Sequence, residues 1–207
     1  SVPLARAGMD GVHVARHVDA SSWIALIAIG ATAGVFAVAG GTLLGAVLGG
    51  SYEDAVGPEI GRLVVALTPW MVVSVGVSVT FPLVFVAGLG GRLPLVGLAV
   101  VLAHLPLAFL GQELAGLWGL ATALAASTAL ALSWMLLLLG ALGATLVEFV
   151  RATVVIAAIV VAAYLPVALL FDALPAATIG TGLYAGLLAA IRPRGLRASW
   201  SYLRALA

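Results

Sequence analysis

Six long apolar stretches follow one another along this chain, separated by short polar segments. Each is continuously apolar and rich in Leu and Ala, without the alternation of apolar and polar residues that marks barrel strands. Most reach the roughly 20 residues that an α-helix needs to cross a bilayer. The pattern therefore predicts an all-α integral membrane protein with about six transmembrane helices. The stretches cover residues 22–49, 62–89, 94–110, 114–142, 152–171 and 174–191.

Composition excludes a soluble domain on a single membrane anchor. Hydrophobic residues make up 64% of the chain and charged residues only 8%, whereas soluble domains carry about 25% charged residues. The chain has no Cys, which excludes disulfides and thiolate metal sites. We expect no metal, no cofactor and no nucleic-acid partner; the expected surroundings are membrane lipid.

Arginine placement predicts the orientation in the membrane. The nine basic residues are all Arg, and Arg near helix ends favours the cytoplasmic side. If the chain starts in the cytoplasm and crosses six times, Arg62 alone falls outside. We therefore predict a multi-pass protein of the plasma or inner membrane with both termini cytoplasmic. The inner set is Arg6, Arg16, Arg92, Arg151, Arg192, Arg194, Arg197 and Arg204.

The chain divides into three predicted parts. Residues 1–21 are interpreted as a cytoplasmic amphipathic connection, residues 22–191 as a six-helix transmembrane lobe, and residues 192–207 as a basic interfacial tail. In the tail, apolar residues including Trp200 recur at helical spacing, while Arg194, Arg197 and Arg204 offer positive charge to anionic head groups. A tail that only sets topology is the alternative.

The second apolar run carries the polar side chains that best fit a transport path. At 100° per residue, Ser74 and Ser78 lie about 40° apart and share a face with Phe81. Pro82 removes a backbone hydrogen bond and predicts a bend. Thr80 lies on another face and is expected to bond its own backbone. Helix packing without a path is the alternative for these residues.

Two charged or titratable residues complete the candidate path. His104 lies near the middle of the third run, where an ionisable side chain is expensive and often functional; a hydrogen bond to a neighbouring helix is the simpler explanation. Arg62 is placed to attract a phosphate group or to neutralise the acidic residues near it. No nucleophile, base and acid set exists, so we predict neither catalytic residues nor an enzyme.

Four segments in order resemble one family of transporters. They are "VPLARAG", "LLGAVLGGSYEDAVGPEIGRLVVALTPW", "FPLVFVAGLGGRLPLVGLAVVLAHLPLAFL" and "LAGLWGLATALAAST". Together they resemble the C-terminal half of a flippase in the multidrug, oligosaccharidyl-lipid and polysaccharide exporter superfamily. The resemblance implies one lobe of a two-lobe transporter, working by alternating access on a lipid-linked saccharide such as a polysaccharide or peptidoglycan precursor. It also implies an N-terminal lobe that this chain lacks.

Two alternatives remain open at the level of sequence. One is a cation-coupled small-molecule exporter of the same superfamily, although the sequence shows no acidic pair within an apolar run. The other is a non-transporting membrane scaffold that binds lipid or a partner enzyme. Substrate identity and coupling ion are beyond the sequence.

Overall fold

The computed structural model describes residues 11–48, 56–193 and 196–197, and these residues include five long helices. All five helices are long and apolar enough to cross a membrane, and the described residues contain no strand. The all-α membrane class predicted from the sequence is therefore confirmed. The helices are α1 Gly11–Leu48, α2 Val56–Val86, α3 Leu93–Leu138, α4 Leu142–Leu170 and α5 Ala173–Ile191, with a 3₁₀ turn at Gly90–Arg92 before α3.

Helix α3 is a hairpin of two antiparallel arms. A straight helix of its 46 residues would be about 69 Å long, more than twice the hydrocarbon thickness. The backbone breaks at Ala115 and Gly116, and Gly116 has φ 56° and ψ −133°, a conformation that favours glycine. Gly111, before this turn, and Gly119, after it, contact each other through their backbones. The first arm (residues 93–114) and the second arm (residues 117–138) each have membrane-spanning length, which gives six such segments in total.

Helix α1 is the centre of the bundle. It packs against α2, α4 and α5, whereas α3 is attached mainly through α2. The first arm of α3 lies at the periphery, because Val96 is its one buried residue and its large apolar side chains are exposed. Bilayer lipid is the natural surroundings for such a surface.

Charges separate the two ends of the bundle. At one end α1 begins, α2 ends and α4 begins; we call it the arginine end, because its exposed side chains include Arg16, Arg92, Arg151, Arg192 and Arg197. The opposite end, which we call the acidic end, exposes Glu59, Glu113 and Asp172 together with Arg62. Six antiparallel segments therefore bring together the charges that the sequence assigns to each side of the membrane.

Two separate apolar clusters form the core. The first, at the arginine end, joins Val18 of α1, Val84 of α2, and Leu136 and Leu139 at the end of α3. The second runs deeper between α1, α4 and α5 around Trp23, Phe149, Ile156 and the rings of Tyr164 and Tyr184. Helices α1 and α4 run from the first cluster to the second.

Candidate functional site

A cavity of about 290 Å³ opens between α1, α2 and the second arm of α3 at the acidic end. It exists because α1 and α2 cross at close range there: the backbone of Gly40 lies against Gly61, and Gly41 lies against Pro58. The small residues leave space beside the crossing, which larger residues from three helices enclose. Its lining includes Phe36, Gly40, Gly41, Pro58, Arg62 and Trp118.

Arg62 supplies the charge of this cavity. Its side chain is exposed. Among the described residues no acidic side chain pairs with Arg62; the ion pair that these residues contain joins Arg151 to Glu148 at the other end of the bundle. A guanidinium offers five N–H donors in a fork that fits phosphate or carboxylate oxygens. The rings of Phe36 and Trp118 add flat apolar surface beside it. The cavity therefore suits a ligand with an anionic group next to an apolar or ring-shaped part.

The predicted serine face lies open on α2. Ser74 is half-buried and Ser78 is exposed, as are Phe81 and Pro82. The hydroxyl of Ser78 donates to the carbonyl of Ser74 at 2.8 Å, and the ring of Phe81 contacts that of Phe85 edge-on. Helix α2 continues through Pro82 without interruption.

The cavity and the serine face are separate surfaces. Arg62 and Ser74 are 12 positions apart on one helix, which places them about 120° from each other around its axis. Gly76, on the buried side of α2, contacts Leu132 of the second arm. The predicted path residues are therefore divided: Arg62 faces the cavity beside α3, whereas Ser74, Ser78 and Phe81 share the open face.

His104 is held inside the α3 hairpin and lies apart from both surfaces. Its Nδ1 is 3.0 Å from Oγ of Ser127 in the opposite arm. The hydroxyl of Ser127 also lies 3.1 Å from the carbonyl oxygen of Leu124; when it donates there, Nδ1 of His104 is the donor to Ser127. The hydrogen bond to a neighbouring helical segment, considered from the sequence, is present.

Of the residues predicted to contact the lipid surface, the structure describes Arg197, whereas Arg194, Trp200 and Arg204 lie outside the described residues. Arg192 ends α5 with a left-handed backbone, φ 43°. Nε of Arg197 donates to the carbonyl of Arg192 at 3.0 Å, and Leu196 packs on the deeper core cluster. Leu196 and Arg197 thus lie against the bundle near the end of α5.

A buried polar layer, which we did not predict from the sequence, lies between the two core clusters. Oδ1 of Asp19 and the hydroxyls of Ser22, Thr80 and Thr145 are buried without a hydrogen-bond partner. The prediction that the Thr80 hydroxyl bonds its own backbone is wrong, because this hydroxyl has no partner among the described residues. Such groups cost about 1–3 kcal/mol each when left unpaired. One signal for this layer is present in the sequence. Asp19 comes three residues before Ser22, on the face of α1 that also carries Val18 and Leu26.

No protein-family model, curated protein or solved structure matches this chain. The charges and cavities of its own residues are therefore the basis for a functional proposal.

Proposed function

We propose that this chain is one lobe of a membrane transporter that moves a lipid-linked saccharide across the bilayer by alternating access. The observation that carries the proposal is the guanidinium of Arg62, which pairs with no acidic side chain among the described residues and lies in a cavity walled by Phe36 and Trp118. A lipid-linked saccharide combines an anionic phosphate, sugar rings and an apolar tail. The phosphate would bind Arg62, a sugar would stack on an aromatic ring, and the tail would remain in lipid.

The level of the cavity in the bundle supports this assignment. Arg62 belongs to the acidic end, beside exposed Glu59 and Glu113, so its charge is expected near lipid head groups rather than in hydrocarbon. A substrate phosphate travels at the same level while its tail stays in the bilayer. The serine face of α2 supplies small polar groups further along the same helix, where a second lobe would enclose a path.

Transport of a defined amphiphile tests the role of Arg62. We expect Arg62→Gln to slow movement of a fluorescent polyprenyl-diphosphate disaccharide by the complete protein in proteoliposomes by about tenfold or more, because a charge-assisted hydrogen bond is lost. Arg92→Gln is the matched control, since Arg92 is also exposed but lies at the arginine end. Equal rates for wild type and Arg62→Gln would reject the site. Absence of transport in the wild type would favour a scaffold.

Accessibility of the serine face is a second prediction of the transport role. In this chain without Cys, Ser78→Cys should react with a small water-soluble thiol reagent in the complete protein, and the disaccharide lipid should slow that reaction. Leu105→Cys is the control, because Leu105 is also exposed but belongs to the apolar first arm. Identical reactivity at both positions, with no protection by the lipid, would assign Ser78 to a lipid-facing surface.

The orientation is a third prediction, and it rests on the separation of Arg from acidic residues. With both termini cytoplasmic, Gln112→Cys at the acidic end should react with a membrane-impermeant maleimide added to intact cells. Gly91→Cys, equally exposed at the arginine end, should react only after the membrane is opened. The reverse pattern would invert the orientation.

A further inference from the structure

We infer that the bundle opens at its arginine end, admitting water between α1, α2 and α4 as far as Asp19. The polar layer of Asp19, Ser22, Thr80 and Thr145 is the surface that this opening hydrates. The inference concerns the lobe itself and is independent of the proposed substrate.

The register of the helices places each of the four groups just inside the apolar cluster at the arginine end. Each lies one helical turn beyond a residue of the apolar cluster at the arginine end, counted towards the middle of the bundle. Because α1 and α4 begin at this end and α2 finishes there, the count runs forward on α1 and α4 and backward on α2. The pairs are Ala15 with Asp19, Val18 with Ser22, Ala141 with Thr145, and Val84 with Thr80.

Their missing hydrogen bonds set them apart from other hydroxyls in the bundle. Thr32, Ser78 and Thr153 each donate to a carbonyl one turn earlier on their own helix, at 2.8–3.0 Å. Ser22, Thr80 and Thr145 are no more than 1% exposed and make no such bond. Buried polar groups in proteins are almost always paired with protein or with ordered water. Three hydroxyls and a carboxylate oxygen without a partner among the described residues, each one turn inside the same apolar cluster, therefore indicate a place where water enters.

Charge at this level also favours hydration. Glu148 of α4 lies three residues after Thr145, and its carboxylate pairs with the largely exposed guanidinium of Arg151, with 3.3 Å between Oε1 and Nη1. An exposed guanidinium on the outside of a membrane bundle belongs at the level of head groups and water. The polar layer is therefore close to the aqueous boundary, and the apolar cluster at the arginine end is what separates it from water.

The way the helices are held together indicates which seam opens. Helices α1, α4 and α5 are fastened by long-range hydrogen bonds: Tyr184 donates to the carbonyl of Ile27 at 3.0 Å, and Tyr164 shares a hydrogen bond with Thr181. Helix α3, by contrast, contacts α4 only weakly. Helix α2 makes a more extensive contact with α1 than any other helix does. At the arginine end, however, α2 and the end of α3 meet α1 through apolar side chains. We therefore expect α2 and α3 to move away from α1 and α4 there.

Cysteine labelling of the complete protein tests the opening. Ser22→Cys and Thr145→Cys should react with a small water-soluble methanethiosulfonate at least about tenfold faster than Ala152→Cys, as expected when one region opens locally and its neighbour stays closed. Ala152 is the matched control because it lies two turns deeper on the same face of α4 and is equally buried. Equal, slow labelling at all three positions would overturn the inference.

A measurement without substitutions covers the case in which a variant fails to fold. In the wild-type protein, backbone amides of residues 18–22 and 145–149 should exchange with deuterium faster than those of residues 152–163. If both groups exchange equally slowly, the layer is closed and static, and the inference is wrong.

Discussion

Replacing Gly34 with Ala is expected to lower the free energy of unfolding of the bundle by about 2–3 kcal/mol, because the site has no room for a methyl group. A Cβ at this position would overlap the ring of Tyr164, with Cζ only 2.7 Å away. The ring cannot withdraw easily, since its hydroxyl bonds to Thr181 at 3.0 Å and the other side of the ring meets Gly180. Thermal unfolding in detergent, followed by the loss of the monodisperse peak in size-exclusion chromatography, measures the change.

Gly182→Ala is the matched control for Gly34→Ala. Gly182 is also inside a transmembrane helix, but nothing lies within 4 Å of a Cβ built there. Relief of the low helix propensity of Gly should leave this variant unchanged or stabilise it by up to about 1 kcal/mol. An equal loss of stability in both variants would mean that the contact with Tyr164 does not hold α1 in place.

Replacing Gly119 with Ala should separate the arms of the α3 hairpin. A Cβ on Gly119 would overlap the backbone carbonyl of Gly111, and backbone cannot move aside as the end of a side chain can. We expect a loss of about 3 kcal/mol, at the upper end of the usual range for overpacking. In the same variant, cysteines introduced at His104 and Ser127 should no longer be joined by a short bifunctional thiol reagent, although they are joined when Gly119 is present.

Gly97→Ala provides the comparison on the first arm. A Cβ there has nothing within 4 Å, so the variant should keep both its stability and its crosslink. If Gly119→Ala kept the crosslink as well, the two arms would have to be held together by something other than the contact of their glycines.

The apolar runs were sufficient to predict the helices, and they also located the hairpin approximately. A turn was expected at residues 111–113, and the structure has it at Ala115 and Gly116. The difference arises because charge marks where a crossing ends, whereas the backbone turns where glycine permits φ 56°. The polar residues Gln112 and Glu113 remain in the last turn of the first arm.

Glycine spacing was less informative than helix contacts. Gly30 with Gly34 and Gly182 with Gly186 have the same small-xxx-small spacing, which permits close helix contact. The first pair packs against Ile156 and Tyr164, but a Cβ on either glycine of the second pair would meet nothing. Spacing identifies a smooth stripe on one helix, and only the position of the neighbouring helix decides whether that stripe is covered.

The transport path through these residues stays a prediction. Helical angles place Ser74 and Ser78 on one face of α2 and Arg62 on another, and the structure adds that the second arm of α3 lies beside Arg62. Asp19 was missed because it precedes the apolar run that was taken as the first crossing. In the structure α1 begins at Gly11 and continues through Asp19, so a carboxylate that reads as part of a polar connection is packed inside the bundle.

The hydrogen bonds from the two tyrosines to α1 also set an order of events during synthesis. Tyr164 reaches the carbonyl of Ala31, 133 positions earlier, and Tyr184 reaches that of Ile27, 157 positions earlier. At about 5–20 residues per second, a ribosome needs roughly 7–27 s to travel the first of these distances. During that interval the face of α1 that carries Gly30 and Gly34 lacks the Tyr164 ring that covers it in the folded bundle. Any other helix of suitable shape can pack against that face. We therefore expect correct assembly of α1 to require that α2 and the α3 hairpin, which are synthesised first, pack on other faces of α1. The face of Gly30 and Gly34 then stays free until α4 and α5 are made.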